Sequence, residues 1–142
     1  RTCVDGRKQR AKVTKGEAAS PTVTLESALI SAVVEAAEGR DVAVADIPGT
    51  YLSAEMDDVV HTVLEGRLAE LILIAVPEVY RNYITYNNKK EPMLCVRLVK
   101  TLYGCLKSAL LFYQKLSTDL VKYGFKINPY DLCVANEHVD GS

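Results

Sequence analysis

Apolar residues recur along this chain with two different periods, and each period predicts its own elements. Leu25, Ala28, Leu29, Ala32, Val33, Ala36 and Ala37 fall at helical spacing and form one continuous apolar stripe. Thr24 or Ser20 can cap this helix, Glu26 in its first turn suits the helix dipole, and Gly39 is placed to end it. Such a stripe needs something flat to pack on. The next apolar run, Val42–Ala45, has the length of a buried strand and ends in Asp46, just before the turn dipeptide Pro48-Gly49. Val60, Thr62 and Leu64 alternate with Val59, His61 and Val63, which predicts a strand over 59–64 with His61 as a surface or half-buried residue. Glu65-Gly66 breaks it, Leu68–Ile74 reads as a short apolar helix, and Pro77 opens another carrying Val79, Tyr80 and Tyr83.

Ile84–Tyr86, the turn Asn87–Lys90 and the run Met93–Leu98 predict a β-hairpin, with Leu94, Val96 and Leu98 on one face of its return strand. A second long helix follows Tyr103-Gly104, with Leu106, Ala109, Leu110, Tyr113, Leu116 and Leu120 at helical spacing, and Gly124 stops it. Asp140-Gly141 is a hairpin-turn signal. Residues 1–16 are polar, broken by Gly6 and Gly16, and read as a basic arm or short hairpin.

The chain has 142 residues, 49% hydrophobic and 25% charged, which is the composition of a globular domain rather than a disordered segment. The net charge of −1 gives no bulk attraction for nucleic acid, but residues 1–15 hold Arg1, Arg7, Lys8, Arg10, Lys12 and Lys15 against Asp5 alone. Cys3, Cys95, Cys105 and Cys133 form no C-x-x-C pair and only two His are present, so the pattern argues against a zinc site and suits a reducing, intracellular compartment. No apolar run is long enough to span a membrane.

Asp46 is the residue with two open readings. An ionised carboxylate is poorly placed beside a buried strand unless it is paired or binds a metal, yet Asp also commonly starts a turn.

The order of motifs resembles the reverse transcriptase domain of copia-type retrotransposons. The family string D-V-K-T-A-F-L-N-G corresponds to Asp46-Ile-Pro-Gly-Thr-Tyr-Leu-Ser-Ala. Its S-L-Y-G-L-K-Q-A-P-R-A-W-Y corresponds to Thr101-Leu-Tyr-Gly-Cys-Leu-Lys-Ser-Ala-Leu-Leu-Phe-Tyr113. Its G-F-x-x-S-x-x-D-P-C-L-Y corresponds to Gly124-Phe-Lys-Ile-Asn-Pro-Tyr-Asp-Leu-Cys-Val-Ala135, and Ser20-Pro-Thr-Val23 resembles the segment ahead of the first palm helix.

The resemblance implies an α+β fold, a fingers and partial-palm region with helices on one face of a small, mostly antiparallel sheet. It implies a single partial domain over 1–142, with 1–23 as fingers remnant and basic arm and 24–142 as incomplete palm. It implies template-directed DNA synthesis with dNTPs on an RNA or DNA primer–template, through two Mg²⁺ ions held about 4 Å apart by carboxylates. Asp46 and the Ile47 carbonyl would be metal ligands. Tyr51 would pack under the incoming sugar, Tyr103, Gly104 and Lys15 would lie by the nucleotide, and Arg10, Lys12 and Lys107 would contact nucleic acid.

The chain departs from the family in four places. The basic string at 10–16 is one residue short, the stretch Glu17-Ala-Ala before Ser20-Pro21 is shorter than the family's fingers insert, Ala109 and Leu110 replace Pro and Arg, and the Val-Asp-Asp box is missing, since His138-Val-Asp-Gly141 lacks its second Asp and reads as the hairpin turn ahead of that box. Asp46 alone cannot place two metals, so the expectation is a chain inactive by itself that self-associates through an exposed sheet edge. The alternative is a non-catalytic relic that binds nucleic acid or protein.

Overall fold

A computed structural model describes residues 5–11 and 13–138. The chain is α+β. A 3-10 helix (Gly6–Ala11) precedes α1 (Lys15–Ala18) and α2 (Leu25–Glu38). A second 3-10 helix (Thr50–Ser53) leads into β1 (Glu55–Glu65), α3 (Arg67–Ala75), α4 (Pro77–Tyr80), β2 (Ile84–Tyr86) and β3 (Pro92–Lys100). The chain continues through α5 (Ser108–Lys122), β4 (Lys126–Ile127) and β5 (Ala135–Asn136). No described helix is long and apolar enough to cross a membrane. The chain forms two compact units, one of 1–55 with 101–142 and one of 56–100. The Asp140-Gly141 turn predicted from sequence lies outside the described residues.

The 56–100 unit follows its hydropathy pattern. Its strands run in the order β1-β3-β2, with β2 antiparallel to β3 and Ile84 opposite Leu94, Thr85 opposite Met93 and Tyr86 opposite Pro92. Val60, Thr62 and Leu64 of β1 are half-buried while Val59, His61 and Val63 are exposed, and Leu94 is the most buried large side chain of β3. The tip of the β2–β3 hairpin is held by Asn87, whose Oδ1 accepts from the N–H groups of Lys89 (2.9 Å) and Glu91 (2.9 Å). That side chain adds to a backbone turn in which Lys90 N–H donates to the Asn87 carbonyl (2.9 Å) and Lys90 adopts φ +61°. Helix α3 packs against β3, with Ala69 fully buried.

The other unit departs from its pattern in three places. Residues 40–47 form no strand, and Val44 is 97% exposed. A Val-Ala run has strand propensity, but a strand must satisfy its N–H and C=O groups on a neighbour, and no described strand pairs with this one. Helix α2 forms where expected, capped by Thr24 Oγ1 accepting from Ser27 N–H (3.2 Å) and closed by Gly39 at φ +63°. Its apolar stripe, however, points away from the protein. Leu25, Leu29 and Val33 are 72%, 58% and 67% exposed, while Ser27, Ser31 and Glu35 on the opposite side are half-buried. The start of the helix is fixed by Asp131, which lies in the loop joining the β4–β5 hairpin. Its Oδ2 accepts from Thr24 N–H (2.8 Å) and Thr24 Oγ1 (3.0 Å), and its Oδ1 from Cys133 N–H (2.9 Å). Finally, the expected arm or hairpin at the N-terminus is helical over Gly6–Ala11 and Lys15–Ala18.

Candidate functional site

Pro48 and Gly49, the latter at φ +64°, turn the chain from the exposed 40–47 segment into the Thr50–Ser53 helix. Short hydrogen bonds brace that turn. Thr50 Oγ1 donates to the Ile47 carbonyl (2.5 Å), Leu52 N–H to the Gly49 carbonyl (2.8 Å) and Ser53 Oγ to the Thr50 carbonyl (2.7 Å). Tyr51 is thereby held at the middle of a single helical turn.

Thr101, 0% exposed, ties the turn to the segment that follows β3. Its Oγ1 donates to the Tyr51 carbonyl and its N–H to the Ala54 carbonyl (3.0 Å). Two residues on, the Tyr103 ring stands 4.7 Å from the Tyr51 ring at 52°, and Phe112 of α5 meets the Tyr51 ring edge-on at 6.4 Å and 68°. Both separations lie in the range where aromatic pairs attract beyond simple burial. The result is a cleft of about 290 Å³ lined by Asp46, Ile47, Pro48, Gly49, Thr50, Tyr51 and Tyr103.

Of the residues the sequence singled out, Asp46, Ile47, Tyr51 and Tyr103 therefore share one cleft, although Tyr51 and Tyr103 are far apart in the chain. Gly104, at φ +95°, carries the close approach of the first 3-10 helix: a Cβ on Gly6 would collide with the Gly104 carbonyl oxygen. Gln9 Oε1 completes that docking by accepting from Leu106 N–H (3.0 Å). Arg10 rides on the same helix but lines a separate hollow of about 470 Å³ with Val13, Thr14, Ala18, Ala19 and Leu106. Lys107 is the residue before α5 and belongs to the lining of neither hollow. Lys12 and the side chain of Lys15 lie outside the described residues.

Three residues important to this geometry had no role in the sequence reading. Thr101 and Phe112 stand inside the motif that carries the resemblance, yet nothing in their spacing marks the first as a buried clamp or the second as a ring partner. Asp131 gives a weak signal, as an Asp after Asn128-Pro-Tyr that any turn would also accommodate. The Thr24 and Cys133 N–H groups hold its carboxyl down at about 2.

Chemically, the cleft offers two aromatic rings, one exposed carboxylate and a carbonyl that already accepts from a hydroxyl. Rings so placed can stack a planar heterocycle, and the carboxylate can accept from hydroxyls or attract a cation. The donor set does not fit a pair of Mg²⁺ ions. Among the described residues no three His, Cys, Asp or Glu side chains gather anywhere, and Asp46 is the only carboxylate in the cleft. Comparison of the chain with protein-family models, with curated proteins and with solved structures returned no match.

Proposed function

We propose that this chain is part of a copia-type retrotransposon reverse transcriptase and that the Asp46–Tyr103 cleft is its nucleotide-facing wall, able to bind but not, in this chain alone, to catalyse. The observation that carries the reading is the convergence of Asp46, Ile47, Tyr51 and Tyr103 on one cleft from two segments of the sequence. Tyr51 and Tyr103 supply the surface for a base or sugar, and Asp46 supplies one anionic group beside it. Two-metal nucleotidyl transfer needs further carboxylates facing the first, and the cleft contains none.

Equilibrium dialysis of a radiolabelled dNTP against the 142-residue chain tests the binding half. Weak, saturable binding is expected, falling about tenfold on Tyr51→Leu, in line with the ~1–3 kcal/mol carried by one base–aromatic stack. Absence of saturable binding at millimolar nucleotide, or binding indifferent to Tyr51→Leu, refutes it. A primer-extension assay in Mg²⁺ tests the catalytic half: no extension is expected, and incorporation that disappears on Asp46→Asn overturns the claim.

A further inference from the structure

The Gly6–Ala11 helix reaches across the sequence to the segment that carries Tyr103, and two contacts hold it there. Gly6 lies so close to Gly104 that a Cβ added to it would stand 2.3 Å from the Gly104 carbonyl oxygen, far inside any contact a side chain can make. Gly6 is not at positive φ, so glycine is required there by space and not by backbone conformation. Three residues on, half-buried Gln9 accepts through Oε1 from Leu106 N–H (3.0 Å), 97 positions away. That N–H lies two residues before α5, outside the helix's own hydrogen-bond ladder, and the glutamine side chain satisfies it.

The segment so held is a tight turn. Cys105 N–H donates to the Leu102 carbonyl (3.2 Å) around Tyr103 and Gly104, and Gly104 at φ +95° stands where a type II turn needs a positive φ. On the upstream side the turn is fixed by Thr101, through the Tyr51 and Ala54 carbonyls. Ser108 Oγ adds a bond to the Leu102 carbonyl (2.7 Å). On the downstream side, Gly6 and Gln9 hold Gly104 and Leu106. A turn tied at one end still pivots about its central φ and ψ angles, and a ring at its second position swings with them. Tied at both ends, it does not.

We infer that Gly6 and Gln9 are positioning residues for Tyr103, and that the Gly6–Ala11 helix is a clasp that keeps the Tyr103 ring 4.7 Å from Tyr51 at 52°. Arg7 and Arg10 of this helix are exposed, yet what the helix brings to the cleft is geometry and not charge. Arg7 pairs with Asp5, and Arg10 lines the separate hollow. The consequence for a ligand rests on the reading of the cleft as nucleotide-facing. With the clasp lost, a base meets a ring without a fixed place, and affinity falls about fivefold, the factor that one hydrogen bond of ordinary net strength carries.

Nuclear magnetic resonance of the 142-residue chain with ¹³C-labelled tyrosine rings tests the inference, the Tyr103 signals being assigned by their loss in Tyr103→Phe. Gln9→Leu removes the acceptor, and Gly6→Ala forces the helix off Gly104. Each should shift the Tyr103 signals while leaving those of exposed Tyr130 in place. Gln9→Glu, which keeps an acceptor, should hold the Tyr103 signals where the unsubstituted chain has them. Arg7→Gln, on the same helix but facing Asp5, should do the same. In equilibrium dialysis, dNTP affinity should fall about fivefold in Gln9→Leu and in Gly6→Ala. Tyr103 signals that stay in place in both variants, that move equally in Arg7→Gln, or that Gln9→Glu fails to restore overturn the inference. Shifted signals with unchanged dNTP affinity, in a chain whose binding still responds to Tyr51→Leu, overturn the coupling of clasp to cleft and leave the cleft reading intact. No saturable dNTP binding by the unsubstituted chain refutes the cleft reading, and the Tyr103 signals then decide the clasp by themselves.

Discussion

Thr101 and Asp131 decide more about this protein than their positions in the sequence suggest, because each joins two segments that are distant in the chain. Thr101 satisfies the Tyr51 carbonyl with its hydroxyl while its own N–H satisfies Ala54. Thr101→Val keeps the shape and removes the hydroxyl, leaving the Tyr51 carbonyl with only the longer bond it accepts from Ala54 N–H (3.2 Å). The expected cost is about 0.5–1.5 kcal/mol in urea unfolding, with weaker nucleotide binding because the Tyr51 turn loses one of its two ties. Asp131 is the second join. Its carboxyl is held at about 2 against an ordinary 3.8, chiefly by the Thr24 backbone N–H and next by that of Cys133. The unfolded chain takes up its proton first as pH falls, so this contribution is complete above about pH 4 and is lost progressively down to about pH 2. Asp131→Asn should lower the melting temperature at pH 7 and narrow the gap to wild type as pH falls through that window. A gap that stays constant with pH would show that the carboxylate charge is not what holds α2. Neither join could be read from sequence, since their partners lie 50 and 107 positions away and leave no periodic trace.

At the scale of elements, periodicity located most of the structure but did not say what each element covers. The β2–β3 hairpin was legible because its alternation, its turn chemistry and its burial agree, down to Leu94 on the inner face. Helix α2 was equally legible as a helix, with Thr24 and Gly39 at its ends, yet its stripe implied a partner surface that the 40–47 segment does not provide. That segment has the right residue types for a strand but no strand to pair with among the described residues, and pairing is a property of two segments rather than of one. Of the candidate cleft, the apolar run and turn marked Asp46 and the motif resemblance added Ile47, Tyr51 and Tyr103, while nothing marked Phe112. The contrast between stripe and burial is directly measurable. Leu94→Ala should cost about 2–5 kcal/mol, whereas Leu29→Ala, on the more regular stripe, should cost the folded monomer only a few tenths. Equal costs at the two sites would mean that α2 buries its apolar face in solution.

For the whole molecule the question is how much surface folding removes from water. Among the described residues the buried apolar side chains are Ala54, Ala69, Leu94 and Cys105, a short list for a chain of 142 residues. The slope of unfolding free energy against urea grows with the surface newly exposed, and ordinary small proteins give about 1–3 kcal/mol/M. A folded chain with so few buried side chains among those described has less left to expose, so it should unfold with a slope of about 1 kcal/mol/M. A steep transition, with a slope well above that value, would mean that the chain buries its α2 face in solution. The small core and the exposed stripe are thus two sides of one quantity, the apolar area the folded chain leaves in water, and the slope measures it.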